Sequence, residues 1–451
     1  MTTAPDVVDV VALGESMVTF LPTRPGRLAD VPSFERAIGG AESNVACVLA
    51  AAGHTVRWVS RVGADGFGDH LVEAIGEYGV DVSAVRRDPT RPTGVYFRTA
   101  GDRATDAHEV AYYRAGSAAS AMTAENMDLD AIHAARVLHL SGITAALSDN
   151  CRELLRTLTA PRPTGAPLIS FDVNHRPALW QTGEGRQTLL DLARSADIVF
   201  VGEDEAEETW GIKGGPTAIR ALLPQPATLV VKQGARGATL FERTPPHTDH
   251  PRTAARGCAG GCPPAAAGVP HRAHPHETAP PGPRTETPRR APDPTPTTGE
   301  PTTASPRHTT EPETARPRHA CRPTTASLRH TTQPHTTEPG TTPTGRRPTP
   351  DTVTSAPAPT VHVTAATGAG DAFAAGFLSA TLRGLPAKAR LRQGHLMAAA
   401  TLTAPGDLAD PPSRAHADRL TSLDDDTWGR LRLGPGWTKA PDRAEEEVRT
   451  P

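Results

Sequence analysis

Short apolar runs ending at Gly, Asp or Asn recur along the chain: DVVALG at 9–14, TVRWVSRVG at 55–63, RVLHLSG at 136–142, PLISFDVN at 167–174, DIVFVG at 197–202 and TLVVKQG at 228–234. Between most of them lie helical patterns such as AESNVACVLAAAGH at 41–54 and DHLVEAIGEYG at 69–79. Short buried strands alternating with helices predict an α/β fold whose mostly parallel sheet is covered on both faces. In such sheets ligands bind outside the carboxyl ends of the strands, where many of the polar residues here fall. Two stretches, at about 16–38 and 92–116, alternate in a β-like manner without intervening helices. They predict a small extra sheet, placed as a lid over the cleft. Near the other end, VHVTAATGAGDAFAAGFLSATL at 361–382 predicts a strand end, a Gly-rich turn at 368–370 and a helix from about Gly370.

Composition changes this picture in one place. From about Thr244 to Thr360 the chain is almost entirely Pro, Thr, Ala, Arg, His, Gly and Glu, and PTTASPRHTT at 301–310 returns as PTTASLRHTT at 323–332. Such a segment buries too little apolar surface to offset its ordering entropy, so 244–360 is expected to be a disordered insertion. The compact parts are then 1–243 and 361–435, with a solvated tail at 436–451. A net charge of -3 argues against a general nucleic-acid-binding protein. No run approaches the roughly 18 apolar residues of a membrane span, and the first residues read as a strand, with no basic leader before them. The five scattered cysteines suit free thiols in a reducing cytoplasm, and the lone C-x3-C of Cys258 and Cys262 lacks the second pair a zinc site needs.

The turn at 368–370 carries the candidate chemistry. It exposes the N–H groups of Ala369, Gly370 and Asp371 at a helix N-terminus, which with the helix dipole makes an anion site. Asp371 would repel a phosphate on its own, so it serves something beside the anion, such as an attacking hydroxyl. A carboxylate that takes a hydroxyl proton while amides hold phosphoryl oxygens is a phosphoryl-transfer arrangement. The plainer alternative is an Asp that caps its helix. No G-K-[ST] follows, so this is not a Walker loop.

Taken with three other motifs, the chain resembles the ribokinase-like family of carbohydrate kinases, and within it the 2-keto-3-deoxygluconate kinases. The motifs are GGAESNVACVLAAAG from Gly39, VGADGFGDHL with Asp65 and Gly68, KQGARG from Lys232 to Gly237, and TGAGDAFAAGF. The resemblance implies a three-layer sandwich with a small β-sheet lid, and ATP and Mg²⁺ as cofactors. It implies Asp371 as the base, with the amides of Gly368, Ala369 and Gly370 holding developing charge. On the nucleotide side it implies Lys232, Gly234, Gly237, Glu205 and His395. On the sugar-acid side it implies Gly40, Asn44, Tyr96, Tyr112, Arg114 and Arg176. Arg suits a carboxylate, which it binds bidentately, and Asn and Tyr suit hydroxyls. Lid sheets of this kind often pair between subunits, so a homo-oligomer is expected through the lid.

The chain departs from the family pattern at Ala365, where members usually carry an Asp that helps bind a monovalent cation, and at Gly202, where an Asn is usual. His395 stands where an adenine-side Asn is usual. The expected activity is ATP-dependent phosphorylation of 2-dehydro-3-deoxy-D-gluconate at its 6-hydroxyl. A neutral-sugar kinase (fructose or ribose) and a catalytically decayed sugar-binding protein on the same fold are the alternatives.

Overall fold

Side chains alternate to opposite faces along a strand, and here both faces are apolar. In β1 (Val8–Leu13) Val10 and Ala12 enter one core while Val11 and Leu13 enter the other. A strand so patterned must be covered above and below, which is what this computed structural model of the protein shows. It describes residues 5–99, 109–180, 183–243 and 350–439. The chain divides into two units, Met1–His247 with Arg347–Pro451, and Thr248–Arg346; the second lies outside the described residues.

After β1 come β2 (Met17–Pro22), β3 (Phe34–Gly39), helix α1 (Ala41–Ala51) and β4 (Val56–Val59). A short parallel pair, β5 (Arg61–Gly63) and β6 (Arg86–Asp88), brackets helix α2 (Gly66–Glu77). Then follow β7 (Val95–Arg98), β8 (Val110–Tyr113), β9 (Ala135–Ser141), β10 (Leu168–Asp172), β11 (Ile198–Gly202), helix α3 (Glu203–Trp210), β12 (Thr228–Lys232) and β13 (Ala238–Arg243). Beyond the undescribed segment lie β14 (Asp351–Ala356), β15 (Thr360–Val361), α4 (Ala369–Leu382) and α5 (Ala387–Leu402), with β16 (Arg432–Leu433) pairing parallel to β15.

Eight strands form the central sheet in the order β14-β13-β12-β11-β10-β9-β1-β4. The run from β12 to β4 is parallel, and β13 and β14 extend it antiparallel. Phe200 on β11 is fully buried and meets Phe377 of α4 edge to face at 5.4 Å. Four strands in the order β3-β2-β7-β8 make the separate small sheet expected from the β-like stretches. The six apolar runs all appear as strands, but 55–63 splits: β4 joins the central sheet and β5 leaves it.

Two expected boundaries are corrected. Asp351–Ala356 is an ordered strand paired along its length with β13, from Arg243↔Asp351 to Ala238↔Ala356, although it lies inside the range expected to lack structure. Its sequence, DTVTSA, carries three consecutive β-branched residues, Thr352 to Thr354, and hydrogen-bonds an existing edge, so it needs no apolar face of its own. The tail also begins later than expected, since Trp437 is buried beside Trp428 and Leu433. Residues 244–349 and 440–451, with Cys258 and Cys262, lie outside the described residues.

Candidate active site

The starts of α1 and α4 lie at the carboxyl ends of parallel strands: Glu42 of α1 accepts the Ser141 hydroxyl at the end of β9 at 2.7 Å, and Lys232 at the end of β12 stands against Gly370. Helix α4 starts one residue earlier than the sequence suggests, with Gly368 as its N-cap. Gly368 has φ 79°, a left-handed conformation that favours glycine, and a Cβ there would stand 2.2 Å from the Asp407 carbonyl oxygen. A bare backbone is therefore needed for two reasons, torsion and contact. The first turn of α4 leaves the N–H groups of Ala369, Gly370 and Asp371 without intrahelical acceptors, whereas the Ala372 N–H reaches the Gly368 carbonyl at 2.9 Å.

Asp371 is half-buried at this point, and its Oδ2 accepts a 2.8 Å hydrogen bond from Asn44 Nδ2 on α1. Burial pushes its carboxyl up to about 7, with the Asp172 charge acting the same way and the Asn44 bond, Lys232 and Arg176 opposing. A carboxyl poised near neutrality is suited to taking a proton. Asn44, expected on the sugar, thus orients the candidate base, while its own buried Oδ1 has no hydrogen-bond partner. Gly40 precedes α1, and a Cβ there would meet the Glu15 carbonyl at 2.4 Å.

Lys232 ends β12 and donates to both oxygens of Asp172 at the end of β10, at 2.8 and 3.1 Å. Burial acts to lower its pKa, but Asp172 and Glu205 outweigh it and hold the ammonium charged. Glu205 sits in the first turn of α3. Its carboxylate accepts the His175 N–H at 2.5 Å and the Gly202 N–H at 2.9 Å, so it caps the helix start that the missing Asn would otherwise satisfy. Gly234 has φ 58° in the turn after β12. Gly237, expected at the nucleotide, makes room for β14: a Cβ would lie 2.2 Å from the Ala356 carbonyl oxygen.

Three further residues expected at the nucleotide or the sugar have partners within the protein. His395 is a buried core histidine, its Nε2 3.1 Å from the Ala356 oxygen and its ring edge-on to Phe373; burial pushes its pKa down to about 4, so it is neutral. Tyr96 is buried and donates its hydroxyl to Asp407 at 2.6 Å, so that proton is already used. Arg114 is locked in a buried ion pair with Glu15, which also takes the Ser117 hydroxyl at 2.5 Å. Tyr112 stays half exposed, and Arg176 is exposed, with a 2.9 Å bond to the adjacent His175 carbonyl. Asp65 caps α2 through the Phe67 and Gly68 N–H groups and also accepts the Thr93 N–H and hydroxyl, tying the base of the lid to α2.

Sequence reasoning missed Asp172, Asp407 and Glu15 as members of the site. Asp172 and Glu15 each follow an apolar run at a strand's carboxyl end, which was a usable signal. Asp407 lies in a loop after α5, and nothing local marks its partnership with the lid.

The profile of the pfkB family carbohydrate kinases matches residues 8–256 and 349–414. The chain belongs to that family. Among its relatives, the 2-dehydro-3-deoxygluconokinase of Bacillus subtilis is 36% identical over 234 residues, 51% of this chain and 72% of that protein. Fructokinase-1 of Zea mays is 34% identical over 239 residues, 52% of this chain and 73% of that one. The crystal structure of a PfkB protein from Polaromonas sp. JS666 superposes with a TM-score of 0.60 at 26% identity, covering 91% of this chain and 99% of that one. For this carbohydrate kinase the ribokinase-like architecture, sandwich plus lid, is thereby shown along with the enzyme class.

Proposed function

We propose that this kinase transfers the γ-phosphoryl group of ATP to the 6-hydroxyl of 2-dehydro-3-deoxy-D-gluconate. The observation that carries the reading is the Asp371 carboxyl, oriented by Asn44 and set at a helix mouth with open N–H groups. The site fits a nucleotide phosphate: Gly368 and Gly370 leave the turn bare, and the Lys232 ammonium lies beside it. Among the described residues no group of three or more His, Cys, Asp or Glu side chains is placed to hold a metal ion, so Mg²⁺ would enter on the phosphates and neutralise their charge. Asp371 takes the proton of the sugar hydroxyl as that oxygen bonds to the γ-phosphorus. The bond from the γ-phosphorus to the β-phosphate bridging oxygen breaks, and ADP leaves. The turn amides of Ala369 and Gly370 hold the equatorial oxygens meanwhile.

The sugar-acid carboxylate is assigned to Arg176. Arg98 and Arg114 are already paired with Asp407 and Glu15, whereas Arg176 is exposed and its charge is felt at Asp371. The buried Arg114–Glu15 pair also favours a second reading, a neutral-sugar kinase such as a fructokinase, which needs no cation there. We place the protein in the cytoplasm, where the buried free thiols Cys47 and Cys151 stay reduced; no described helix is long and apolar enough to cross a membrane. Pairing of two copies through the lid is proposed on its outer aromatic face, where Phe20, Phe34 and Tyr113 surround Phe97.

A coupled ADP-release assay with a panel of sugar acids and neutral sugars tests the reading. The ketodeoxy acid should be preferred, and Arg176→Ala should raise its KM while Asp371→Asn lowers kcat about 10²- to 10⁴-fold. A preference for fructose, unchanged in Arg176→Ala, supports the fructokinase reading. Turnover that survives Asp371→Asn overturns the base.

A further inference from the structure

Lys232 lies between two of the site's acids. Its Nζ donates to both Asp172 oxygens, which uses two of its three N–H donors and leaves one. The same Nζ is 3.6 Å from where a side chain at Gly370 would begin, so it stands against the anion turn. Asp172 is buried at the end of β10, one strand removed from Lys232 on β12, and β11 between them ends in Gly202, where no side chain intrudes. The ammonium is therefore held by a rigid sheet and not by a loop.

We propose that Asp172 is a positioning residue for phosphoryl transfer: it fixes the Lys232 ammonium beside the Gly368–Gly370 turn, where the remaining N–H meets the migrating phosphoryl group, and keeps that ammonium from pairing with Asp371. This rests on the kinase reading above. Without Asp172 the cation has two other carboxylates to turn to, Glu205 and Asp371, both of which already act on it electrostatically. A Lys232–Asp371 contact would hold Asp371 as an anion too stable to take a proton efficiently. Asp172 thus acts twice, aiming the cation and preserving the basicity of its neighbour. The groups that face Asp371 are Asn44 from α1, Asp172 from β10, Lys232 from β12 and Arg176 from the loop after β10, so exchanging one charge must show in its titration.

The test follows the Asp371 carboxyl directly, by ¹³C NMR of the aspartate-labelled full-length protein, with Asp371→Asn assigning the signal. Asp172→Asn is expected to lower the Asp371 pKa by about one unit or more, and Lys232→Met to raise it. In the ADP-release assay, kcat should fall roughly 10- to 100-fold in Asp172→Asn with the acid limb moved to lower pH, and Asp172→Glu should restore part of it. In a Lys232→Met background, Asp172→Asn should add little. An unmoved Asp371 titration, or a kcat loss equally large without Lys232, overturns the proposal. The Lys232→Met arm decides the matter if Asp172→Asn fails to fold. Should the wild type phosphorylate no sugar at all, the substrate reading falls while the NMR arm still judges this one.

Discussion

The Asp371 carboxyl has a price for its poise. Burial lifts its pKa from the ordinary aspartate value towards 7, so the folded protein disfavours the charged form that the unfolded chain carries freely. The penalty is absent below about pH 4, where both states are protonated, and grows as pH rises towards 7. Asp371→Asn should accordingly raise the melting temperature at pH 8, with the gain shrinking towards pH 4, although it lowers kcat. Thermal scans at several pH values measure this. In the wild type, kcat/KM should fall tenfold per unit on the acid side of about pH 7. Gly368 permits a second prediction. Gly368→Ala forces a side chain into a left-handed torsion and onto the Asp407 carbonyl, so it should cost about 1–3 kcal/mol in urea unfolding and depress kcat more than the sugar KM.

Elements were more legible than residues. Continuous apolar runs announce the central strands because each strand feeds two cores and leaves few polar gaps. The GAGD turn was legible because glycine at a helix mouth has a torsional reason. The partnerships of Arg114 with Glu15, Tyr96 with Asp407 and His395 with Ala356 were not: each joins segments far apart in the chain, and only the fold sets the distance. β14 was hidden for a different reason, since an edge strand borrows its order from the ladder it joins. At this scale the Asp65 cap gives a clean expectation. Asp65→Ala removes two helix N–H bonds and two bonds to Thr93, and should cost about 0.5–2 kcal/mol or slightly more. Hydrogen exchange at β7, which begins just after Thr93, should quicken in this variant; unchanged protection there would mean the tether is idle.

For the whole molecule, one of the two cores that sandwich the central sheet draws on residues from both sides of the long Pro- and Thr-rich stretch, while the other core and the four lid strands come from before it. Closure entropy grows slowly with the length of a connection, about 0.6 kcal/mol for each doubling, so a long one is expected to cost the catalytic body little. Replacing Thr248–Arg346 by a short Gly/Ser linker should leave the melting temperature within a few degrees and the ATP KM within about twofold. A collapse of either would assign the stretch a part in the nucleotide site. The reason for expecting tolerance is the ladder between β13 and β14, in which Arg243 lies opposite Asp351. Antiparallel partners of this kind stand about 5 Å apart. The chain therefore exits and re-enters through adjacent doors, and whatever is threaded between them can lengthen, shorten or be exchanged over generations without tugging on the machinery behind the wall.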